Sequence, residues 1–412
     1  MRGRPLLYTS YQEDQALLNT WTKKVIGALF LAFLVVAPFG VVPGFTFLAD
    51  NDWIKLLSQV LIFAIGALGL NLLTGLAGQV SLGHAFFLGV GAYTAAWLGG
   101  EPGGALLGLG LPMWVWLPAA AIVPAIIGVI VGPTAVRVRG LYLAIVTLGL
   151  VIIGEYVFRN WKGLTGGSQA GRTHPEFEFR FWKEGTPVFD FAQDARILGI
   201  QVSSEISTYL LMLAFAVIAV LVAKNIQRSR SGRAFQAIRD RDVAAEVMGV
   251  AEFRYKLLAF GLSSAFAGVA GALLASFVGR TIPERFDLFL SVQFIAIIII
   301  GGAGTVSGTL MGAAFVLMLP RFVRDATDWM AGIVDSGQGV LAWVGDLFIA
   351  TSPDDFGLIN TLPGVGPGLS VDQLNGVLFG LLIVLFLIFE PLGLYGIWLR
   401  VRNYWKGWPF TY

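Results

Sequence analysis

Polar side chains that interrupt long apolar runs are the residues of this chain with a capacity for chemistry. The chain has 412 residues, 56% hydrophobic and 13% charged, with no cysteine and two histidines, His84 and His174. Thiol catalysis, disulfides and cysteine-based metal sites are therefore excluded, and two distant histidines do not indicate a metal centre. An intramembrane enzyme would need a nucleophile, a base or a metal set that the sequence does not offer, so we expect neither catalysis nor a cofactor.

Two stretches combine polar side chains with glycines inside apolar sequence, at residues 71–93 and 301–305. Polar groups in hydrocarbon are costly, and irregular backbone is tolerated there only where it is buried in protein or lines a cavity. These stretches and the apolar run at 141–158 therefore supply the candidates for lining a translocation path. The candidates are Asn71, Gln79, Ser81, His84, Tyr93, Thr147, Glu155, Gly301, Gly302, Gly304 and Thr305.

Several candidates have a structural alternative of equal or greater weight. A single membrane histidine such as His84 serves more often in an interhelical hydrogen bond. Glu155 stands four residues before Arg159, which is the spacing of an ion pair on one helix face. The glycines at 301, 302 and 304 are suited either to exposing carbonyls or to close packing. Glu390 is expected at the cytoplasmic interface.

Repeated apolar runs near twenty residues predict an all-α, polytopic membrane protein with about ten spans and discontinuous segments. The two short runs at 290–300 and 306–319 predict a broken hairpin or two tilted half-helices, because a full crossing needs about 20 residues. The predicted spans are 25–45, 54–73, 81–98, 113–132, 141–158, 206–223, 257–278, 290–300, 306–319 and 374–393.

The distribution of basic residues predicts the orientation. Residues 224–256 carry eight Lys or Arg against four Asp or Glu, which indicates a cytoplasmic segment. Residues 1–24 form a cytoplasmic lead and residues 399–412 a basic cytoplasmic tail around the transmembrane domain, 25–398. The segments lacking a positive excess, 159–205 and 321–372, are expected outside.

Within the cytoplasmic segment, Asp242 is positioned to cap a short helix. Val243, Val247 and Val250 with Met248 would form its apolar stripe beside Glu246. Such a helix could receive force from a soluble partner, although an ordinary solvated loop fits the pattern equally well. The sequence has no Gly-x-x-x-x-Gly-Lys-Ser/Thr phosphate loop, so we do not expect the chain itself to hydrolyse ATP.

Six groups of residues together resemble the permeases of branched-chain amino acid ABC importers, and the M-type (LivM-like) permeases more than the H-type. The groups are 71–93 (NLLTGLAGQVSLGHAFFLGVGAY), 139–149 (RGLYLAIVTLG), 164–169 (LTGGSQ), 231–240 with 244–250 (SGRAFQAIRD, AAEVMGV), 255–260 (YKLLAF) and 301–308 (GGAGTVSG).

The resemblance implies an ATP-driven importer in the bacterial inner membrane. Its other parts would be a second, H-type permease, two cytoplasmic ATPase subunits and an external substrate-binding protein, with membrane lipid around it and no nucleic acid. The stretches near 71–84 and 301–305 would border the translocation path. The ATPase-coupling residues would be Asp242, Ala244, Ala245, Glu246, Met248 and Gly249.

The resemblance leaves the cargo open. Branched-chain or related small amino acids are the first expectation, and urea, short amides or aromatic acids are alternatives within the same machinery. The external segment 321–372 is longer than expected for the family. A stand-alone secondary transporter or channel would need coupling carboxylates near the bilayer centre, and only Glu155 comes close.

Overall fold

The computed structural model describes residues 21–101, 106, 108–137, 141–181, 188–197, 200–336, 349–350, 359–360 and 369–407. The first 20 residues of the lead, the turn at Arg139, most of the segment 337–368 and the last five residues of the tail lie outside the described residues. The chain divides into two units, Met1–Leu288 and Phe289–Tyr412, and each is described by itself.

The first unit is helical. Its helices are α1 Trp21–Val36, α2 Asn51–Leu70, α3 His84–Gly99, α4 Met113–Arg137, α5 Leu141–Asn160, α6 Lys162–Thr165, α7 Gly167–Ala170, α8 Ser204–Arg228, α9 Arg230–Asp240, α10 Asp242–Val247 and α11 Glu252–Val278. Short 3₁₀ turns occupy Ala37–Phe39, Thr46–Ala49 and Pro283–Phe286, and a π-helical turn, Asn71–Leu76, extends α2.

Three antiparallel strand pairs complete the first unit. They are β1 Arg172–Thr173 with β6 Arg280–Thr281, β2 Glu178–Phe179 with β3 Phe189–Asp190, and β4 Ala195–Ile197 with β5 Ile200–Val202.

Helix α11 is central to the first unit, where it packs against α2, α3 and α4. Small residues on α11 make this close packing possible. A Cβ atom on Gly271 would overlap the backbone of Leu88, and one on Gly268 would overlap the carbonyl of Ala120. Neighbouring backbones therefore touch directly along this helix.

The second unit contains α12 Leu288–Gly301, α13 Val306–Ser336, β7 Ile349–Ala350, β8 Ile359–Asn360, β9 Leu369–Ser370, α14 Val371–Phe389 and α15 Gly393–Gly407. The three short strands are parallel. A capping box between Ser370 and Gln373 begins α14. Helix α14 ends before Pro391, which cannot continue it.

Six helices of the described residues are long and apolar enough to cross a membrane, or seven if α14 and α15 count as one bent span. Two shorter apolar helices, Lys24–Phe39 and Leu288–Gly301, accompany them. The polytopic helical class is thus confirmed. The count of ten spans and the cytoplasmic location of both termini stay predictions.

The prediction of a short second half-helix at 306–319 is wrong. Helix α13 runs for 31 residues, through Pro320 to Ser336. The apolar run ends at Pro320 but helical geometry does not, and an ion pair between Arg321 and Asp325 (3.1 Å), at i,i+4, supports the next turns. The first sixteen residues of the segment 321–372 therefore belong to a helix rather than a loop. The tail also differs, because residues 399–407 lie in α15.

Candidate functional site

The connection between α2 and α3, residues 71–83, is the first candidate site, and we call it the α2–α3 break. The π-helical turn ends at Leu76, and two residues later Gly78 has a φ of 69°, a left-handed conformation suited to glycine. The Gln79 amide then donates to the Leu73 carbonyl (3.1 Å), and the Thr74 hydroxyl donates to the Gln79 carbonyl (3.0 Å). The irregular backbone predicted at this place is therefore present and internally hydrogen-bonded.

Thr147 on α5 holds the far end of this break. Its buried hydroxyl oxygen accepts from the Leu82 amide (2.9 Å), while the Gly83 amide donates to the Ser81 hydroxyl (3.2 Å). The structure thus brings together Ser81 and Thr147, two candidates 66 positions apart in the sequence.

His84, the first residue of α3, is buried, and its Nε2 lies 2.9 Å from the Gly66 carbonyl on α2. This contact is the interhelical hydrogen bond that the sequence analysis favoured. The imidazole fixes the two helices that flank the break, and a role for His84 in a path stays a prediction.

Gln79 is the candidate whose polar group is least satisfied. It is 5% exposed, and neither Oε1 nor Nε2 has a hydrogen-bond partner among the described residues. A buried amide without partners costs free energy, so its presence needs a reason beyond packing. Asn71 is buried in the same break. Gln79 is therefore the side chain in this break best suited to meet a polar solute.

Glu155 forms the ion pair expected from its spacing, with 2.7 Å between its Oε1 and Arg159 Nη2. Arg159 Nε also lies 3.2 Å from Oε1 of Glu284. The Glu155 carboxylate therefore lies near the end of α5 rather than at its middle, and it is engaged by a cation. The main argument for a stand-alone secondary transporter is correspondingly weak.

A buried polar cluster beside Tyr93 was missed by the sequence analysis. Arg172 donates to the carbonyls of Leu164 and Ala96 (2.7 Å for the latter), and His174 contacts the hydroxyl of Thr281. Burial lowers the pKa of His174 to about 3, with the positive charge of Arg172 adding to the effect. The contact between His174 and Thr281 follows from the pairing of β1 with β6. These two short strands lie 108 positions apart, so a single sequence does not reveal their pairing.

Tyr93 itself lies in an aromatic group with Phe158 and Phe286, with ring centroids 5.0 Å and 5.8 Å from its own. Its hydroxyl is buried without a hydrogen-bond partner among the described residues. Tyr93 lies nine positions after His84, the first residue of α3, and is therefore apart from Gln79 in the α2–α3 break.

The glycines of the second unit form the α12–α13 break, residues 301–305. Thr305 caps α13, because its hydroxyl accepts from the Gly308 amide (3.2 Å) and donates to the Gly302 carbonyl (2.9 Å). A Cβ on Gly302, whose φ is 116°, would lie 2.5 Å from the Leu392 carbonyl. Close packing, the more common use of glycine, is what the structure shows at Gly301 and Gly302.

The short helix predicted in the cytoplasmic segment is confirmed as α10, Asp242–Val247. Asp242 is its first residue rather than its N-cap, which is Arg241, and the carboxylate accepts from the Val243 amide (2.8 Å). Ala245 packs inward and is buried. The helix is therefore a packed element and not an unstructured loop.

The other coupling candidates, Ala244, Glu246, Met248 and Gly249, are exposed. The predicted apolar stripe lies on the surface of the protein, because Val243, Val247 and Met248 are 61%, 83% and 84% exposed. Met248 lies just past the helix end, and Val250 is half-buried. Exposed apolar clusters on a polar surface are typical of protein interaction sites.

Arg239 links the segment 224–256 to the α2–α3 break, and the sequence analysis missed this role. Its Nη1 donates to the Gly75 carbonyl (2.9 Å), and a Cβ on Gly78 would lie 2.7 Å from its Cγ. The contact joins residues 164 positions apart, so the local sequence pattern does not indicate it.

No group of three or more His, Cys, Asp or Glu residues able to hold a metal ion occurs within the described part of the chain. The candidate sites therefore consist of hydrogen-bonded backbone breaks and one exposed apolar patch. These features suit changes of conformation and protein contact rather than bond-making chemistry.

Comparison with known proteins agrees with a role in changes of conformation and protein contact. Residues 53–387 match the family described as branched-chain amino acid transport system / permease component. The chain is 32% identical over 310 residues to the high-affinity branched-chain amino acid transport system permease protein LivM of Salmonella typhimurium, covering 73% of this chain and 69% of that protein. It is 31% identical over 311 residues to LivM of Escherichia coli, with the same coverage.

A more distant relative is the autoinducer 2 import system permease protein LsrC of Salmonella paratyphi B, 29% identical over 332 residues that cover 77% of this chain and 85% of that protein. No solved structure matches the chain. The relatives and the apolar helices together place the chain in the bacterial inner membrane as a multi-pass protein. The chain belongs to the family of permease components of branched-chain amino acid transport systems, and it is a LivM-like member.

Proposed function

We propose that this chain is the M-type permease subunit of an ATP-driven ABC importer for branched-chain or related small amino acids. The observation that carries the proposal is the exposed apolar patch of α10, formed by Val243, Val247 and Met248, next to a direct contact between Arg239 and the α2–α3 break. A partner that pushes on α10 has a short mechanical route into the membrane domain.

The route consists of packed contacts. Helix α10 contacts α9 and α11, and α9 contacts the π-helical turn Asn71–Leu76. Arg239 ends this series at the Gly75 carbonyl. Force applied at the patch therefore arrives where the backbone of α2 is already irregular and can change its conformation.

The partner proposed for the patch is a cytoplasmic ATPase subunit, because the sequence has no phosphate loop of its own and the segment 224–256 carries a cytoplasmic charge bias. Two such subunits, an H-type permease in a heterodimer and an external substrate-binding protein complete the assembly. The proposed path runs by Gln79 in the α2–α3 break, with Glu155 and Tyr93 nearer its outer end.

The cargo proposal rests on the relatives. LivM proteins at 31–32% identity are named for branched-chain amino acids, and LsrC at 29% for autoinducer 2. Uptake of labelled leucine by the reconstituted complex, with autoinducer 2, urea, short amides and aromatic acids as competitors, tests the cargo. Valine and isoleucine should compete with leucine for uptake. If one of the other competitors inhibits strongly while valine and isoleucine do not, the assignment to amino acids is overturned.

The coupling role has a direct test in the reconstituted complex. Replacing Val247 or Met248 by Asp puts a charge in the proposed contact, and Glu246→Ala with Gly249→Ala alters its polar edge. We expect substrate-stimulated ATPase activity to fall at least tenfold in the Asp variants, since burying one unpaired charge costs more than about 1.4 kcal/mol. Asn225→Asp, an exposed position in the same segment, is the matched control.

Retained stimulation in both Asp variants would refute the coupling role. A separate experiment addresses the other class of transporter. Liposomes containing this chain alone, given an ion gradient and no ATP, should show no uptake. Uptake under those conditions would replace the importer proposal by secondary transport.

A further inference from the structure

Helix α15 presents an exposed apolar stripe edged by basic residues. Five of its side chains are at least 38% exposed, and they repeat at helical spacing within an arc of about 120°. They are Ile397, Trp398, Val401, Tyr404 and Trp405. Exposing three aromatic rings to water on one face is unfavourable, so we expect this face to lie against an apolar neighbour.

The basic residues are placed at the two borders of that stripe. At 100° per residue, Arg400 lies about 40° beyond one border and Arg402 about 40° beyond the other. Asn403 lies on the face opposite the stripe. Residues 393–407 contain no acidic side chain. Among the described residues, Glu390 is the carboxylate that pairs with the helix, and it binds Arg400 from the preceding turn.

This pattern is that of a helix lying at a membrane surface, with its rings in the interface and its cations at headgroup level. The geometry of the second unit permits it. Helices α14 and α15 bend by 49° at the residues between them. A span tilted by about 20° in the same direction would bring α15 to about 20° from the membrane plane.

We propose that α15 is an interfacial helix that binds anionic phospholipid headgroups through Arg400 and Arg402. Its occupant is a lipid surface rather than a protein because the two cations flank the apolar stripe on both sides and residues 393–407 contain no acidic side chain. Arg400, although paired with Glu390, keeps 66% of its side chain exposed for a headgroup. The proposal rests on the membrane location of the chain and not on its cargo or its ATPase partner.

The start of α15 is joined tightly to the α12–α13 break, which gives the lipid contact a consequence. A Cβ on Gly393, whose φ is 60°, would lie 2.5 Å from the Ile300 carbonyl and 2.6 Å from the Gly302 amide nitrogen. Helix α15 also packs against α13. Lipid binding therefore fixes the angle of a helix whose first turn abuts the glycines of this break.

The first test uses the absence of cysteine from the chain, which makes single-cysteine labelling clean. Spin labels at Val401→Cys and Asn403→Cys differ by two residues along the helix but lie on opposite faces. In nanodiscs, we expect the label at 401 to be accessible to oxygen and shielded from a water-soluble nickel chelate, and the label at 403 to show the reverse. Equal chelate access at both positions would overturn the proposal, as would a label at 401 shielded from both reagents, which indicates a protein neighbour.

The second test identifies the lipid. A fluorophore at Val401→Cys is quenched by brominated phosphatidylglycerol or by brominated phosphatidylcholine in otherwise identical mixed nanodiscs. Each cation at the surface favours an anionic headgroup by about fivefold, so quenching should favour phosphatidylglycerol clearly. The same fluorophore at Leu381→Cys, a half-exposed position of α14, is the matched control and should show little preference.

The variant Arg400→Gln/Arg402→Gln should reduce the preference at 401 towards that of the Leu381 control. An unchanged preference would overturn the assignment of the two cations. If the double variant does not fold, the comparison of the two brominated lipids with native charges still decides the matter, because equal quenching by both would refute anionic recognition. Leucine uptake need not change in any of these experiments, so failure here is distinct from failure of the proposed function.

Discussion

Replacing Gly78 by Ala should destabilise the α2–α3 break. The size of the effect follows from one backbone strain and one close contact. The new Cβ would be held at a φ of 69°, which costs a non-glycine residue about 1 kcal/mol. It would also lie 2.7 Å from Cγ of Arg239, and a side chain that must move away loses its hydrogen bond to the Gly75 carbonyl.

That hydrogen bond is worth about 1 kcal/mol, at the lower end for a charged donor because the Arg239 side chain is 41% exposed. The local free energy of opening should therefore fall by about 2 kcal/mol in Gly78→Ala. Hydrogen exchange of the amides in residues 71–83 measures it directly. At about 1.4 kcal/mol per factor of ten, the exchange rate should rise about 30-fold.

A double-mutant cycle sharpens the prediction. Arg239→Ala alone should raise the exchange rate about fivefold, and Gly78→Ala in that background should add only the backbone strain, because Cγ is absent. The two effects should thus fall short of additivity by about 1 kcal/mol. Gly279→Ala is the matched control, since its φ is 79° with no atom within 4 Å, and it should leave residues 71–83 unchanged. Additive effects would refute the contact.

Three further predictions concern the first unit. Thr147→Val leaves the Leu82 amide without its acceptor and should destabilise the unit by about 1–2 kcal/mol in hydrogen exchange. Gly271→Ala drives a methyl group into the Leu88 backbone and should cost about 1–3 kcal/mol of thermal stability. The pKa of His174 is lowered to about 3 in the folded unit from the usual 6.5, so the unfolded chain binds a proton first as the pH falls. The free energy of unfolding should therefore decrease below pH 6.5, by about 2 kcal/mol at pH 5. His174→Gln should flatten that dependence in pH-resolved thermal unfolding.

Matched controls separate these effects from generic ones. Thr94→Val removes a hydroxyl that bonds only the Val90 carbonyl of its own helix, so a loss equal to that of Thr147→Val would contradict the role of Leu82. Gly149→Ala adds a methyl group with nothing within 4 Å and should be neutral or stabilising. The acid dependence would be wrongly attributed if His174→Gln retained it.

Local pattern predicted much of the fold. Apolar runs gave the long helices, and the basic excess at 224–256 marked a segment that contains a short helix with exposed valines. The i,i+4 spacing of Glu155 and Arg159 predicted their ion pair. These features depend on neighbours along one helix, which the sequence states directly.

What failed depends on distant contacts or on a helix that extends past its apolar run. The sequence predicts a half-helix over 306–319 because the apolar run stops there, whereas α13 continues through Pro320 to Ser336. The contact of Arg239 with Gly75 joins residues 164 positions apart, and that of His174 with Thr281 joins residues 107 apart. Neither pairing leaves a trace in the local periodicity of the chain.

The direct backbone contacts of α11 limit how the first unit can deform. Backbone packs directly on backbone at Gly271 with Leu88 and at Gly268 with Ala120. No side chain lies between the helices at these points to rearrange when one helix slides or rotates. We expect helices α3, α4 and α11 to move together as one rigid body in any change of conformation. Flexing is left to the segments at its margins.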